Sequence, residues 1–387
     1  MNIVFISPNF PDNYYLFCKE LKRLGNHVLG IGDAHWDNLS FATKEALSQY
    51  YYVTNIKNYD EMLRGVGYFT HKFGKIDKIE SLNEHWLLTE AKLRDDFNIE
   101  GPREHDIAAM QNKLEMKAIF RKAGVKTPIA KKIQNIESAR IFTEKYSYPV
   151  VIKPDIGAGA VNTFKINNNE ELNRYAQFIH HNNSIIEEFI EGQIYSFDGL
   201  TNKQGNIVFY SSCKYQKGVM EVVNENSDTY YYITREIIPE IESAGKNIVN
   251  QYKLKQRFFH LEFFQKKNKE IVALEANIRP PGGLTPDLFN YAHDIDIYRR
   301  WAEVISSQKN FSKFERKYFA LYISRKFHYK YVHSHEKILA NFSATLMFHK
   351  PMQPLFHRAM GEYAYIFRTI TEEELHYIIE YVHKKEE

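Results

Sequence analysis

Alternation of apolar and polar positions is sharpest between Arg257 and Gly283, RFFHLEFFQKKNKEIVALEANIRPPGG, where two apolar runs flank a polar turn centred on Asn268 and Lys269. The pattern predicts a β-hairpin. With Asn268 and Lys269 as a two-residue loop, Lys267 pairs with Glu270 and Glu262 falls opposite Glu275, while Asn277 and then Arg279 continue the same face. A register shift of two keeps these side chains together, and a slip of one separates them. Opposed glutamates repel unless something neutralises them. A hard divalent cation such as magnesium suits carboxylate and amide oxygens; an exposed face with two solvated glutamates is the plainer alternative. Pro280 and Pro281 end the strand, and Gly282 and Gly283 open a turn whose backbone N–H groups can face an anion.

Elsewhere the periodicity alternates between strand and helix. Asn2–Ser7 and His27–Ile31 are apolar runs separated by a helical stripe of Tyr15, Cys18, Leu21 and Leu24 that Gly25 closes. Further strands are expected at Tyr51–Val53 and Ile76–Leu82, with helices over Tyr59–Phe73 and Glu84–Phe97. This order predicts a doubly wound α/β layer. Its first turn, SPNFPDN, lacks the glycine fingerprint of a dinucleotide fold. A helix through QNKLEMKAIFRKAG follows, with Lys113 at its start.

Next, YPVVIKPDIGAGAVNTFKI reads as two strands around the loop Asp155–Ala160. Lys153 closes a very apolar run beside this small-residue loop, which can cover phosphates with backbone N–H groups. The spacing is not that of a Walker loop. In SIIEEFIEGQ, Glu187 and Glu188 end another apolar run, where a carboxylate and backbone groups can bond the edge of a base. A helix over Pro239–Tyr252 leads to the hairpin, and helices at Thr285–Ala292 and Ile295–Ile305 follow it. The tail has strand patterns at Tyr318–Ser324 and Tyr363–Thr369 and a final helix from Thr371.

Composition narrows the partners. The 387 residues carry a net charge of +3 and contain two cysteines. Such a small excess, without a Lys/Arg block, argues against nucleic acid. Two cysteines without a ligand pattern suggest neither a zinc site nor a disulfide framework. No apolar run of membrane-spanning length and no signal-peptide pattern stand out, so a cytoplasmic protein without a membrane partner is expected.

Taken together, TEAKLRDDFNIEG, the lysine-bearing helix ending GVKTP, PVVIKP with its small-residue loop, EEFIEG, and LEFF followed by EANIRPPGG resemble the ATP-grasp superfamily, in particular its carboxylate–amine ligases and the L-amino-acid ligases among them. The resemblance covers almost the whole chain. It implies a mixed α/β and α+β fold: an N-terminal doubly wound domain (1–108), a central two-subdomain ATP-grasp domain (109–308) and a small C-terminal α+β domain (309–387). It also implies ATP and magnesium, two ions with manganese as a substitute, and a ligase joining a small carboxylic acid to an amine, both amino acids, through an acyl phosphate. A homodimer is the candidate assembly. By position, Lys113 and Lys153 correspond to the phosphate lysines, Gly157, Ala158 and Gly159 to the covering loop, and Glu187, Glu188, Phe189 and Ile190 to the adenine hinge. Glu262, Glu275 and Asn277 correspond to the metal ligands and Arg279 to the arginine that steadies the phosphoryl group, making Arg279 and Lys153 the expected catalytic pair. Asn112 and Ile194 depart from the pattern, standing where the family usually has aspartate and glutamate. Substrate contacts are expected from 211–235, the glycine turn and the region of Asn83 and Glu84. Phosphorylation of a small acid such as bicarbonate or formate, nucleotide-precursor synthesis, and a non-catalytic ATP-binding scaffold are the alternatives.

Overall fold

The computed structural model describes residues 1–157, 162–181, 183–307 and 311–386. Strands β1 (Asn2–Ile6), β2 (His27–Gly32), β3 (Gln49–Tyr52) and β4 (Lys78–Glu80) form a parallel sheet in the order β3-β2-β1-β4. The continuous apolar run of β1 follows from burial on both faces. Ile3 and Phe5 join a core with Phe17 and Leu21 of the first helix, whereas Val4 and Ile6 pack with Met62, Val66 and Phe69 of helix Tyr59–Phe73.

A second sheet is antiparallel and small: β5 (Ala130–Ile133), β6 (Val150–Pro154), β7 (Phe164–Ile166) and β8 (Ser184–Glu188), in the order β5-β8-β6-β7. The sequence pattern does not predict β5 or the helix Ile136–Tyr146 that covers the sheet. β5 reads AKKI with both lysines exposed, the charged composition of an edge strand rather than an alternating one.

The third sheet has nine strands among the described residues. These are β9 (Gln193–Thr201), β10 (Ile207–Ser211), β11 (Cys213–Tyr215), β12 (Tyr230–Ile233), β13 (Phe258–Gln265), β14 (Ile271–Asn277), β15 (Phe319–Arg325), β16 (Leu346–Pro351) and β17 (Tyr363–Thr369). Their order is β14-β13-β9-β11-β12-β15-β17-β16, with β10 on β9. Hydrogen bonding therefore runs without a break from the hairpin into the tail, through the β12–β15 pair.

The hairpin is β13–β14. Its loop has three residues rather than two: Gln265 pairs with Ile271, Lys266 N donates to Glu270 O at 2.9 Å, and Lys269 has φ 67°. Asn268 Oδ1 accepts from Glu270 N at 3.1 Å and holds that turn. The extra loop residue moves the register by one, and a bulge at Leu274 moves it back, so that Phe263 pairs with Ala273 and Glu262 with Glu275. Ala273 and Ala276 consequently both join the core beneath the hairpin, with Leu261 and Phe263. Leu274, Glu275 and Asn277 line a cavity of about 410 Å³ between the small and the nine-stranded sheets, with His260, Glu262 and Phe264 of β13.

Candidate active site

The floor of the cavity is the hairpin face. Cross-strand pairing sets Glu262 opposite Glu275 and His260 opposite Asn277. Glu262, Glu275 and Asn277 each have one oxygen near a cation: Lys113 Nζ is 3.4 Å from Glu275 Oε1, His260 Nε2 is 3.0 Å from Glu262 Oε1, and Arg279 Nη2 donates to Asn277 Oδ1 at 3.3 Å. His260 is buried, yet Asp198 on Nδ1 at 2.5 Å and Glu262 on the other nitrogen override the desolvation and push its pKa up to about 9. Burial would raise the Glu262 carboxyl, but the His260 hydrogen bond and charge hold it below the usual range. Protein cations thus supply part of the charge that two opposed glutamates require. The fit to a metal rests on the donors: two carboxylates and an amide on one face, with Glu275 Oε1 buried and lacking a hydrogen bond. Among the described residues no group of three or more His, Cys, Asp or Glu is placed to hold an ion. A magnesium ion, which keeps several waters and substrate oxygens in its shell, is compatible with so few protein ligands.

The lysines form one side. Helix Lys113–Lys122 sets Lys113 and Lys117 one turn apart on a buried face. Glu187, at the end of β8, lies between Lys153 Nζ at 2.5 Å and Lys117 Nζ at 3.0 Å. Burial would raise its carboxyl, but the two ammonium groups bring the pKa down to about 2. Lys117 is depressed by its own burial, whereas Glu187 lifts Lys153 despite burial. Lys113 Nζ reaches Gly157 O at 2.7 Å, tying the lysine to the start of the small-residue loop. Ala158 and Gly159 lie outside the described residues. Asn112 caps the helix by accepting from Glu115 N at 3.0 Å, and its Nδ2 donates to the buried Asp155 carboxylate at 2.6 Å. That partner requires a donor, which accounts for an amide at 112 where a carboxylate is usual.

Two apolar ends flank this charged centre. At one, Val151, Phe189, Ile190, Ile194, Phe264 and Leu274 line the cavity. Glu187 faces the lysines and Glu188 accepts from Ile129 N at 2.8 Å, so both carboxylates are engaged within the protein. The backbone of Phe189 and Ile190 is what this end offers to the edge of a ring. At the other end Arg279, the glycine turn, Tyr215 and Tyr231 meet Phe356 and Met360 of the tail. Glu84 lies behind Arg279 at 3.5 Å; burial raises its carboxyl, and Oε2 has no hydrogen bond.

The structure brings the described members of the sequence-derived set to one cavity: Lys113, Lys153, Gly157, Glu187, Glu188, Phe189, Ile190, Glu262, Glu275, Asn277 and Arg279 all line it. Sequence reasoning missed Lys117, His260 with Asp198, and Phe356 with Met360. The first has a readable signal, a second lysine four residues after Lys113. The others depend on pairing across strands and on the fold of the tail.

Comparison with known proteins places this geometry. The ATP-grasp domain family matches residues 146–286. The L-arginine-specific L-amino acid ligase of Bacillus subtilis is 27% identical over 239 residues, covering 59% of this chain and 57% of that protein, so the match spans little more than half of the curated relative. Among solved structures, an L-amino acid ligase from Bacillus licheniformis superposes with a TM-score of 0.78 at 17% identity, over 99% of this chain and 97% of that one. An N5-carboxyaminoimidazole synthetase from Staphylococcus aureus complexed with ADP gives 0.73 at 14% identity, over 98% and 96%. No helix among the described residues is long and apolar enough to cross a membrane. Residues 146–286 therefore match the ATP-grasp domain, and the chain as a whole shares the fold of the L-amino acid ligase of known structure.

Proposed function

We propose that this chain is an ATP-dependent carboxylate–amine ligase that joins two amino acids through an acyl phosphate, releasing ADP and phosphate. The observation that carries this reading is the convergence of Glu262, Glu275, Asn277 and Arg279 on one hairpin face, in a cavity that Lys113 and Lys153 enter from the side. In this reading the apolar end at Phe189 and Ile190 takes the adenine, and Lys113 and Lys153 hold the phosphates. Glu262, Glu275 and Asn277 hold magnesium, which when bound supplies the charge that screens the terminal phosphates. Arg279 orients the substrate carboxylate for attack on the γ-phosphoryl group and steadies the acyl phosphate. An amine then attacks the acyl carbon, and phosphate leaves. Positioning and electrostatics provide most of such a rate enhancement. The names of the two L-amino acid ligases that the chain resembles support amino acids as substrates.

The test is release of ADP and phosphate from magnesium and ATP in the presence of amino-acid pools. Amino-acid-dependent release is expected, and Glu275→Ala should abolish it while circular dichroism stays that of the folded protein. Wild-type turnover in that variant would remove the metal assignment.

A further inference from the structure

We propose that the end of the cavity beyond Arg279, walled by Tyr215, Tyr231, Val219, Val222, Phe356 and Met360, selects an amino acid with an uncharged, apolar side chain. The inference rests on the ligase reading and names its substrate class. It departs from what the named arginine-specific relative would suggest.

Three observations carry it. The first is that the wall is apolar and firmly held. Tyr215 stacks on Tyr231 with centroids 5.4 Å apart and planes at 29°, and Tyr231 stacks on Tyr322 at 4.7 Å and 16°. The Tyr322 hydroxyl donates to Met360 O at 2.6 Å, which fixes the tail segment that closes the pocket. Phe356 stacks on Phe10 of the N-terminal layer at 5.8 Å and 10°. Ring stacks and hydrogen bonds on neighbouring strands leave such walls little freedom to adapt to a different ligand.

The second is the placement of charge. Among the described residues six glutamates line the cavity: Glu187, Glu188, Glu191, Glu221, Glu262 and Glu275. Glu221 belongs to the same short helix as Val219 and Val222, and its Oε2 is engaged by the Gly218 N–H at 3.2 Å. The other five are paired with lysines, His260 or a backbone N–H. A guanidinium seated here would gain from a tyrosine face, but the carboxylate that the described residues set on this stretch of wall, Glu221, already accepts from a backbone N–H.

The third is closeness of fit. Gly283 has φ 63°, and a Cβ added there would lie 2.5 Å from Met360 Cε and 3.8 Å from the Tyr231 hydroxyl. The glycine turn, Met360 and Tyr231 therefore meet at one point, with Thr285 Oγ1 3.3 Å from the Tyr231 hydroxyl. Shortening Met360 opens that point directly.

The experiment is ADP release by the full chain with magnesium, ATP and each of the twenty amino acids alone and in pairs, with binding of a fluorescent ATP analogue as the independent readout. Methionine, leucine or phenylalanine should raise ADP release at least about tenfold over arginine, lysine, aspartate and glutamate, the scale at which an apolar pocket discriminates. Met360→Ala should shift the kcat/KM ratio of phenylalanine to valine about tenfold toward phenylalanine, with the ATP analogue binding as in wild type. Arginine as the best activator, with that preference lost in Glu221→Gln, overturns the apolar assignment and leaves the ligase reading standing. Analogue binding without activation by any amino acid or pair overturns both.

Discussion

Strand β13 has a buried charge cluster at each end, and the two are built differently. At its start Arg257 donates to Glu80 at 2.9 Å and to Glu90 at 3.2 Å, and Arg94 donates to Glu90 at 2.7 Å. The Ser81 hydroxyl also donates to Glu90. Two guanidinium groups meet two carboxylates, all almost fully buried, and the cluster ties β4 and helix Leu87–Asp96 to the nine-stranded sheet. Near the other end Lys113, Lys117 and Lys153 face Glu187 and Glu275, and Glu187 Oε2 and Glu275 Oε1 lack hydrogen bonds although cations stand 3.0 and 3.4 Å away. A planar guanidinium fork suits a fixed joint, whereas lysine is a point charge on a long stem that can turn toward another anion. The clamp resolves its charge within the protein. The site leaves two buried carboxylate oxygens in ion pairs but without a hydrogen bond, which is unfavourable for stability and useful for binding.

Breaking the clamp should have the largest effect. Arg257→Met leaves Glu80 buried with the longer 3.6 Å contact to Arg94, and removing one member of a buried pair costs about 3–5 kcal/mol. Urea denaturation should show that loss, while the folded variant binds an ATP analogue with wild-type affinity. A loss below about 1 kcal/mol, the range of a surface ion pair, would show that the clamp carries no more weight than an exposed contact.

Glu187→Gln comes next. It removes the negative member of the lysine cluster, and because Lys153 and Glu187 line a cavity that can admit water, about 1–3 kcal/mol is expected rather than the clamp's larger figure. The pH dependence has a definite sign. Glu187 titrates near 2 in the fold against 4.5 ordinarily, so its contribution is complete above pH 4.5 and is lost as pH falls toward 2. Glu187→Gln should therefore flatten the fall in stability across that window. An unchanged acid limb would mean that the lysines are neutralised by something other than Glu187.

The same contrast explains what could be seen in the sequence. The pairing of Glu262 with Glu275 was legible because alternation fixes the face of each strand, but the path to it was not: the three-residue loop and the Leu274 bulge each shift the register by one and cancel. Lys153 and Arg279 could be placed because each lies close to a glycine-bearing turn that marks the chain, whereas Lys113 was marked only by its place at the start of a helix and by the family resemblance. The clamp was hidden, since Glu80, Glu90, Arg94 and Arg257 are spread over 178 positions and have no local signature. His260 and Asp198 were hidden for the same reason, as register across β9 and β13 brings them together. The joining of β15 to β12 is likewise a long-range pairing that periodicity within either segment does not encode.

The smallest effect is expected at the border of the site, where the amide of Asn112 meets Asp155. Asn112→Asp keeps an oxygen to cap helix Lys113–Lys122 but replaces the 2.6 Å donor to Asp155 with a second carboxylate. The backbone N–H groups of Lys113 and Leu114 also reach Asp155, at its carbonyl and its carboxylate, so part of the junction survives and a loss of about 1 kcal/mol is expected. A second substitution separates charge from shape. In Asn112→Asp with Asp155→Asn the donor and the acceptor exchange places, and the pair can bond again in the opposite sense. A double-mutant cycle should then recover most of the stability lost in Asn112→Asp, with a coupling energy of about 0.5–1 kcal/mol. Additive losses would mean that the charge of Asp155 is needed for itself, by the Leu114 N–H at the start of the lysine helix.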